Sequence, residues 1–168
     1  MGMRLKSRSY RFAEEVLNSK LPIKKEIEEI VSSIRLKPSE ISRPRLNEEF
    51  KKEFLKRGWE HQPLVFSEPK DPQAKIDFLK DRIGVEVEFG HSSFLGIDLL
   101  KFQTLSYSNL DKIDVGVYIV VTSNYQKKLI KEYKQTWDGS LTFEKVCRYL
   151  PHFRSAVQVP IWAVGLEE

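Results

Sequence analysis

Three carboxylates in one short stretch, Asp77, Glu86 and Glu88 within KIDFLKDRIGVEVEFG, are the residues best suited to chemistry. Alternate residues of a strand share a face, so the run Ile83 to Phe89 predicts Glu86 and Glu88 on one side and Val85, Val87 and Phe89 on the other. Upstream, Ile76 to Leu79 reads as a short strand and Lys80-Asp81-Arg82 as a tight connection. A hairpin of the two strands sets Asp77 beside Glu86. Two carboxylates on neighbouring strands make a hard oxygen site of the kind Mg²⁺ accepts, completed by water and a substrate phosphate. The plainer alternative is the solvent face of an amphipathic edge strand. Against it, the polar face carries no Lys or Arg to separate the two like charges, and charges gathered in this way usually need a cation.

The elements that must hold these residues follow from the rest of the pattern. At 168 residues the chain is expected to form one domain, with residues 1–60 mainly helical and 61–168 carrying the catalytic sheet. No apolar run approaches a membrane span and the basic N-terminus lacks a signal-like apolar segment, so a cytoplasmic protein without membrane contact is expected. The single cysteine, Cys147, excludes an internal disulfide and a cysteine metal site, and its helical setting marks it as core filler. The excess of 28 Lys and Arg over 24 Asp and Glu is modest. Its placement in clusters (Arg4, Lys6, Arg8 and Arg11; Arg43 and Arg45; Lys127, Lys128, Lys131 and Lys134) suits phosphates on two sides of a bound duplex, as well as plain solvated faces.

In order, Phe12 to Leu17 suggest a short helix, Pro22 to Ile34 a second, and Leu46 to Leu55 a third that ends at Gly58. Leu64-Val65-Phe66 is a possible strand. His61, in the loop before it, invites a reading as a base, though a lone loop histidine is more often a surface residue. His91-Ser92-Ser93 reads as the cap of a helix from Phe94 to Leu105. Apolar on more than one face, that helix is expected to pack on the sheet and on a partner chain. Ile113 to Thr122 reads as a strand buried on both faces, followed by a basic helix over 125–133, a turn at Trp137 to Ser140 and a helix from Phe143 to Leu150. Ala156 to Gly165 is the last strand, and its Pro160 argues for a sheet edge or bulge. The alternation predicts an α/β fold, a mixed central β-sheet flanked by helices.

Asp77, eight residues, Glu86, one residue, Glu88 resembles the PD-(D/E)xK nuclease signature, a weak pattern by itself. The longer IDFLKDRIGVEVEFGHSSF is similar to the catalytic segment of the BglII-type restriction endonucleases, EEVLNSKLPIKKEIEEIV to their opening helices, and VPIWAVGL to their closing strand. The resemblance implies a restriction-endonuclease-like core in which Asp77, Glu86 and the backbone carbonyl of Val87 hold Mg²⁺. Glu88 stands where the general signature has Lys and the BglII type has Gln, although the BamHI branch also has Glu. Its implied role is to accept the proton of the attacking water or to orient that water. The family's further amide, three residues after a tryptophan, falls on Gln62 instead of Asn.

Hydrolysis of double-stranded DNA at a palindrome centred on GATC is the implied activity, by a homodimer joined through the helix from Phe94. Base reading is implied for Gly90, His91 and Ser92 and for the loop of Asp138, Gly139 and Ser140, positions that also suit ordinary helix caps. Beside the longer members, the chain ends soon after the closing strand and is expected to lack their appended DNA-embracing segments. Two alternatives stay open: a repair or junction nuclease of the same fold, and a catalytically silent DNA-binding protein.

Overall fold

In the computed structural model, which describes residues 2–107 and 110–168, the chain opens as a strand, β1 (Arg4–Tyr10), where only a basic cluster was expected. Arg4, Lys6 and Arg8 fall two apart on its exposed side, as charged residues do on the edge of a sheet. Three helices follow: α1 (Ala13–Asn18), α2 (Leu21–Ser33) and α3 (Arg43–Lys56). The predicted apolar positions are buried, Ile27, Ile30 and Val31 in α2 and Leu46, Phe50 and Phe54 in α3. Ser42 caps α3 by accepting a bond from the Arg45 N–H, so Arg43 and Arg45 belong to its first turn and do not precede it.

The rest of the chain then runs β2 (Glu60–His61), β3 (Phe78–Lys80), β4 (Ile83–Val87), α4 (Leu95–Tyr107), β5 (Val115–Val121), α5 (Ser123–Lys131), α6 (Phe143–Tyr149) and β6 (Ile161–Glu167). These strands and β1 form one six-stranded mixed sheet in the order β1-β6-β5-β4-β3-β2. The β4-β5 and β5-β6 pairs are parallel; the others are antiparallel. Leu64-Val65-Phe66 is not a strand and contributes only an isolated bridge from Leu64 to Lys75. Nor is β6 an edge: Pro160 stands just ahead of it, where a missing N–H removes nothing from the ladder, and the Pro160 carbonyl accepts the Gly116 N–H at 2.9 Å.

Each face of the sheet carries its own core. Val85, Val117, Ile119, Trp162 and Val164 pack with α2 and α3 on one side. Tyr118, Val120, Ile161 and Ala163 pack with α4 and α6 on the other. β5 is buried along its whole length, as its continuous apolar run predicts. A Cβ on Gly116 would meet the Phe102 ring at 2.7 Å, so a glycine there lets α4 lie close upon the sheet. That approach brings the charged residues of α4 within reach of β4.

Candidate active site

A two-residue turn joins β3 to β4. Asp81 and Arg82 both adopt left-handed φ, 48° and 65°, the backbone that matches the twist of a tight hairpin. Neither is glycine, and Arg82 compensates by donating to Asp114 Oδ1 at 2.9 Å and to the Asp111 carbonyl at 2.7 Å, tying the turn to the approach of β5. The turn sets the register Phe78 opposite Val85, and one step further along the hairpin faces Asp77 with Glu86. On its other side Asp77 faces Gln62, whose N–H donates to the Asp77 carbonyl at 2.9 Å. Gln62, Asp77 and Glu86 therefore lie in one row across neighbouring strands, and the row continues to Tyr118 on β5.

Asp77 is fixed by the Val87 N–H, which donates to its Oδ2 at 2.8 Å. Behind it Glu86 is buried. The expected division of β4 holds, since Val85 and Phe89 enter the core under α2 and α3 while Glu86 turns toward α4. Glu88 accepts the Gly90 N–H and is half-buried. A cleft of about 320 Å³ reaches the Gln62 and Asp77 end of the row, lined by Asn47 and Lys51 of α3 and by His61, Gln62, Asp77 and Val87, while Glu86 stays buried beside it. His61 thus borders the site, and burial with the nearby Lys51 ammonium holds its imidazole below the usual range, against the pull of Asp77 and Glu48.

Sequence pattern did not point to Lys101 or Asp98, both buried on α4. The Lys101 ammonium forms ion pairs with Glu86 Oε1 and, at 2.9 Å, with Asp98 Oδ1, while the Tyr118 hydroxyl donates to Asp98 Oδ2 at 2.7 Å. The available signal was an Asp and a Lys three apart in a helix whose sheet-facing side is otherwise apolar. One ammonium does not neutralise this many acids. Burial, then Asp77 and Asp98, push the Glu86 carboxyl well above its ordinary range despite Lys101. Burial and Asp98 push Glu88 up to about 7. Lys101 itself is disfavoured by burial, yet Glu86 and Asp98 hold it charged, its pKa pushed up to about 12.

Among the described residues no three His, Cys, Asp or Glu side chains form a metal cage. The oxygen pair of Asp77 and Glu86 nevertheless suits Mg²⁺, which keeps several waters and takes one or two carboxylates alongside substrate phosphate. Glu86 Oε1 is buried, and its partner there is the Lys101 ammonium.

The two segments expected to read bases come together as one paired surface. His91 and Ser140 form an antiparallel bridge, the Ser92 N–H donates to the Gly139 carbonyl at 2.9 Å, and the Leu141 N–H donates to the Gly90 carbonyl at 2.9 Å. His91, Asp138 and Gly139 are exposed, whereas Ser140 is buried and its hydroxyl accepts from Arg43 at 2.7 Å. Lys145 donates to the Ser92 hydroxyl at 2.8 Å. Gly139 has a left-handed φ of 73° and passes so close to the His91 ring that a Cβ would lie 2.9 Å from it. Arg43, stacked 5.3 Å over Trp137, joins the surface from α3, far away in sequence, and Lys145 joins it from α6, just after the loop.

A family model for restriction endonuclease BglII/BglIII matches residues 5–166. The chain belongs to the BglII/BglIII restriction endonuclease family. The family implies sequence-specific DNA cleavage, and such enzymes typically use a divalent metal. Solved structures share the fold, among them two of BglII. Restriction endonuclease BglII complexed with a DNA 16-mer is 24% identical, with 98% of this chain and 78% of that chain covered and a TM-score of 0.73. Free BglII is likewise 24% identical, with 98% and 80% covered and a TM-score of 0.64. No curated protein sequence matches the chain. Among the described residues no helix is long and apolar enough to cross a membrane.

Proposed function

We propose that this family member is a Mg²⁺-dependent type II restriction endonuclease of the prokaryotic cytoplasm, hydrolysing double-stranded DNA within a palindrome centred on GATC. The observation that carries the reading is the row Gln62, Asp77, Glu86 with an open cleft at its Gln62 and Asp77 end, because an amide beside two carboxylates suits the orienting of a water and the holding of a cation. Asp77, Glu86 and the Val87 carbonyl would hold the ion, whose chemistry is to stabilise charge that develops on the phosphate. Glu88 takes the proton of the attacking water or orients that water, a role its burial suits by raising its basicity. Gln62 orients that water from the neighbouring strand. In-line attack leaves a 3′-hydroxyl and a 5′-phosphate.

Gly90, His91, Ser92, Asp138, Gly139 and Ser140 form the proposed base-reading surface. His91 and Asp138 present exposed polar side chains, and Ser140 acts from below by holding Arg43. A palindrome calls for a two-fold protein. Leu100 and Tyr107 of α4, with Phe94 just ahead of it, are exposed apolar residues on the helix proposed to join two copies.

Incubation of the protein with a plasmid of known sequence, with and without Mg²⁺, followed by run-off sequencing of the ends, tests the reading. Discrete Mg²⁺-dependent fragments sharing one palindrome are expected. Preference for branched over linear DNA would replace it with a junction nuclease, and binding without cutting under any divalent metal with a silent binder.

A further inference from the structure

The Lys101 ammonium has three N–H donors and meets three oxygens: Glu86 Oε1, Asp98 Oδ1 at 2.9 Å, and the Lys75 carbonyl at 3.2 Å. These come from β4, from its own helix, and from the chain two residues ahead of Asp77. One cation thus pins together the two segments that carry the acids of the row. Asp98, its second partner, is held in place by Tyr118. Among the described residues Asp77 and Glu88 make no ion pair, so Lys101 is the cation paired with an acid of the row, while Lys51 lines the cleft beside Asp77. Burial leaves little water to screen it.

We propose that Lys101 is a positioning residue that acts as an internal counter-ion: it keeps Glu86 in place without metal, and it weakens metal binding until DNA arrives. A divalent cation entering between Asp77 and Glu86 must share Glu86 with an ammonium that repels it. A phosphodiester brings a negative charge to the open side, over Asp77, which Lys101 does not contact. Metal loading then follows DNA binding, and a protein without DNA does not carry a charged hydrolytic centre. The inference rests on the proposed assignment of Asp77 and Glu86 as metal ligands.

Isothermal titration of Ca²⁺ into the DNA-free protein and thermal unfolding with and without Ca²⁺ test it on wild type, Lys101→Met and Lys101→Arg. Lys101→Met is expected to bind Ca²⁺ about tenfold or more tightly than wild type, as loss of one near like charge implies. Its melting temperature is expected to fall without Ca²⁺ and to recover when Ca²⁺ is added, with Lys101→Arg staying near wild type. Should Lys101→Met prove too unstable to purify, Lys101→Gln keeps a polar group beside Glu86 and loses only the charge, and is read in the same way. Duplex carrying the cleaved palindrome is expected to tighten Ca²⁺ binding by wild type more than by Lys101→Met. Equal Ca²⁺ affinity in wild type and Lys101→Met, with a melting loss that Ca²⁺ does not recover, would reduce Lys101 to a packing residue and overturn the inference alone. No Ca²⁺ binding by any variant, with or without DNA, would overturn both the inference and the ligand assignment beneath it.

Discussion

Asp77 performs two tasks that substitution can separate. Its Oδ2 accepts the Val87 N–H at 2.8 Å, and its charge is proposed to hold the metal. Asp77→Asn keeps an oxygen acceptor in place and loses only the charge, so its folding cost should stay below about 1 kcal/mol, while Asp77→Ala orphans the Val87 N–H at about 1–3 kcal/mol. For cleavage the two substitutions are equivalent. A unit charge pair about 4 Å apart at an effective dielectric near 20 is worth about 4 kcal/mol, which already corresponds to about a thousandfold in rate before the second charge of the cation is counted. The assay is single-turnover cleavage of a fragment bearing the site at saturating Mg²⁺, with duplex binding measured in EDTA and stability taken from urea midpoints. Both variants are expected to bind DNA near wild-type affinity and to cleave at least about a thousandfold more slowly, with Asp77→Ala alone clearly destabilised. Cleavage by Asp77→Asn within about tenfold of wild type would refute the ligand assignment. Equal destabilisation by the two would refute the hydrogen-bond argument.

Three further outcomes are expected. Gln62 holds a left-handed φ of 54°, which asparagine adopts more readily, so Gln62→Asn should retain cleavage and Gln62→Ala should slow it about a hundredfold in the same kinetics. In EDTA the Glu88 carboxyl, raised from 4.5 to about 7, binds its proton more tightly folded than unfolded; urea midpoints should therefore fall as pH rises through that window, and Glu88→Gln should flatten the fall. Leu100→Asp in the exposed apolar side of α4 should turn a dimer into a monomer by sedimentation and abolish double-strand cutting; an unchanged sedimentation coefficient would move the interface elsewhere.

The centre of the molecule was legible from spacing alone. Alternation over residues 83–89 placed Glu86 and Val85 on opposite faces, and the turn after Lys80 faced Asp77 with Glu86, because strand period and hairpin geometry are local rules. The edges of the sheet were less legible. β1 offers only partly covered Leu5 and buried Tyr10 as inward apolar positions, so its pattern looked like a basic tail; what marks it as a strand is pairing with β6 across the whole chain. Pro160 was read as part of a strand that begins one residue later. Lys101 was hidden for a different reason: a lysine in an apolar helix looks like a solvent-facing residue until the fold shows which side of α4 meets Glu86. Pairing of the His91 and Ser140 segments likewise depends on long-range packing.

The pairing of β1 with β6 also bears on biosynthesis. The first strand waits for its partner until residues 161–167 have been made, and until then β5 lacks its β6 neighbour. Chains emerge at about 5–20 residues per second, so for several seconds a nascent chain holds Asp77 and Glu86 on strands whose sheet is incomplete. Contacts this far apart in sequence are also among the slowest to form. A sheet organised in this way is completed only after residues 161–167 have been translated.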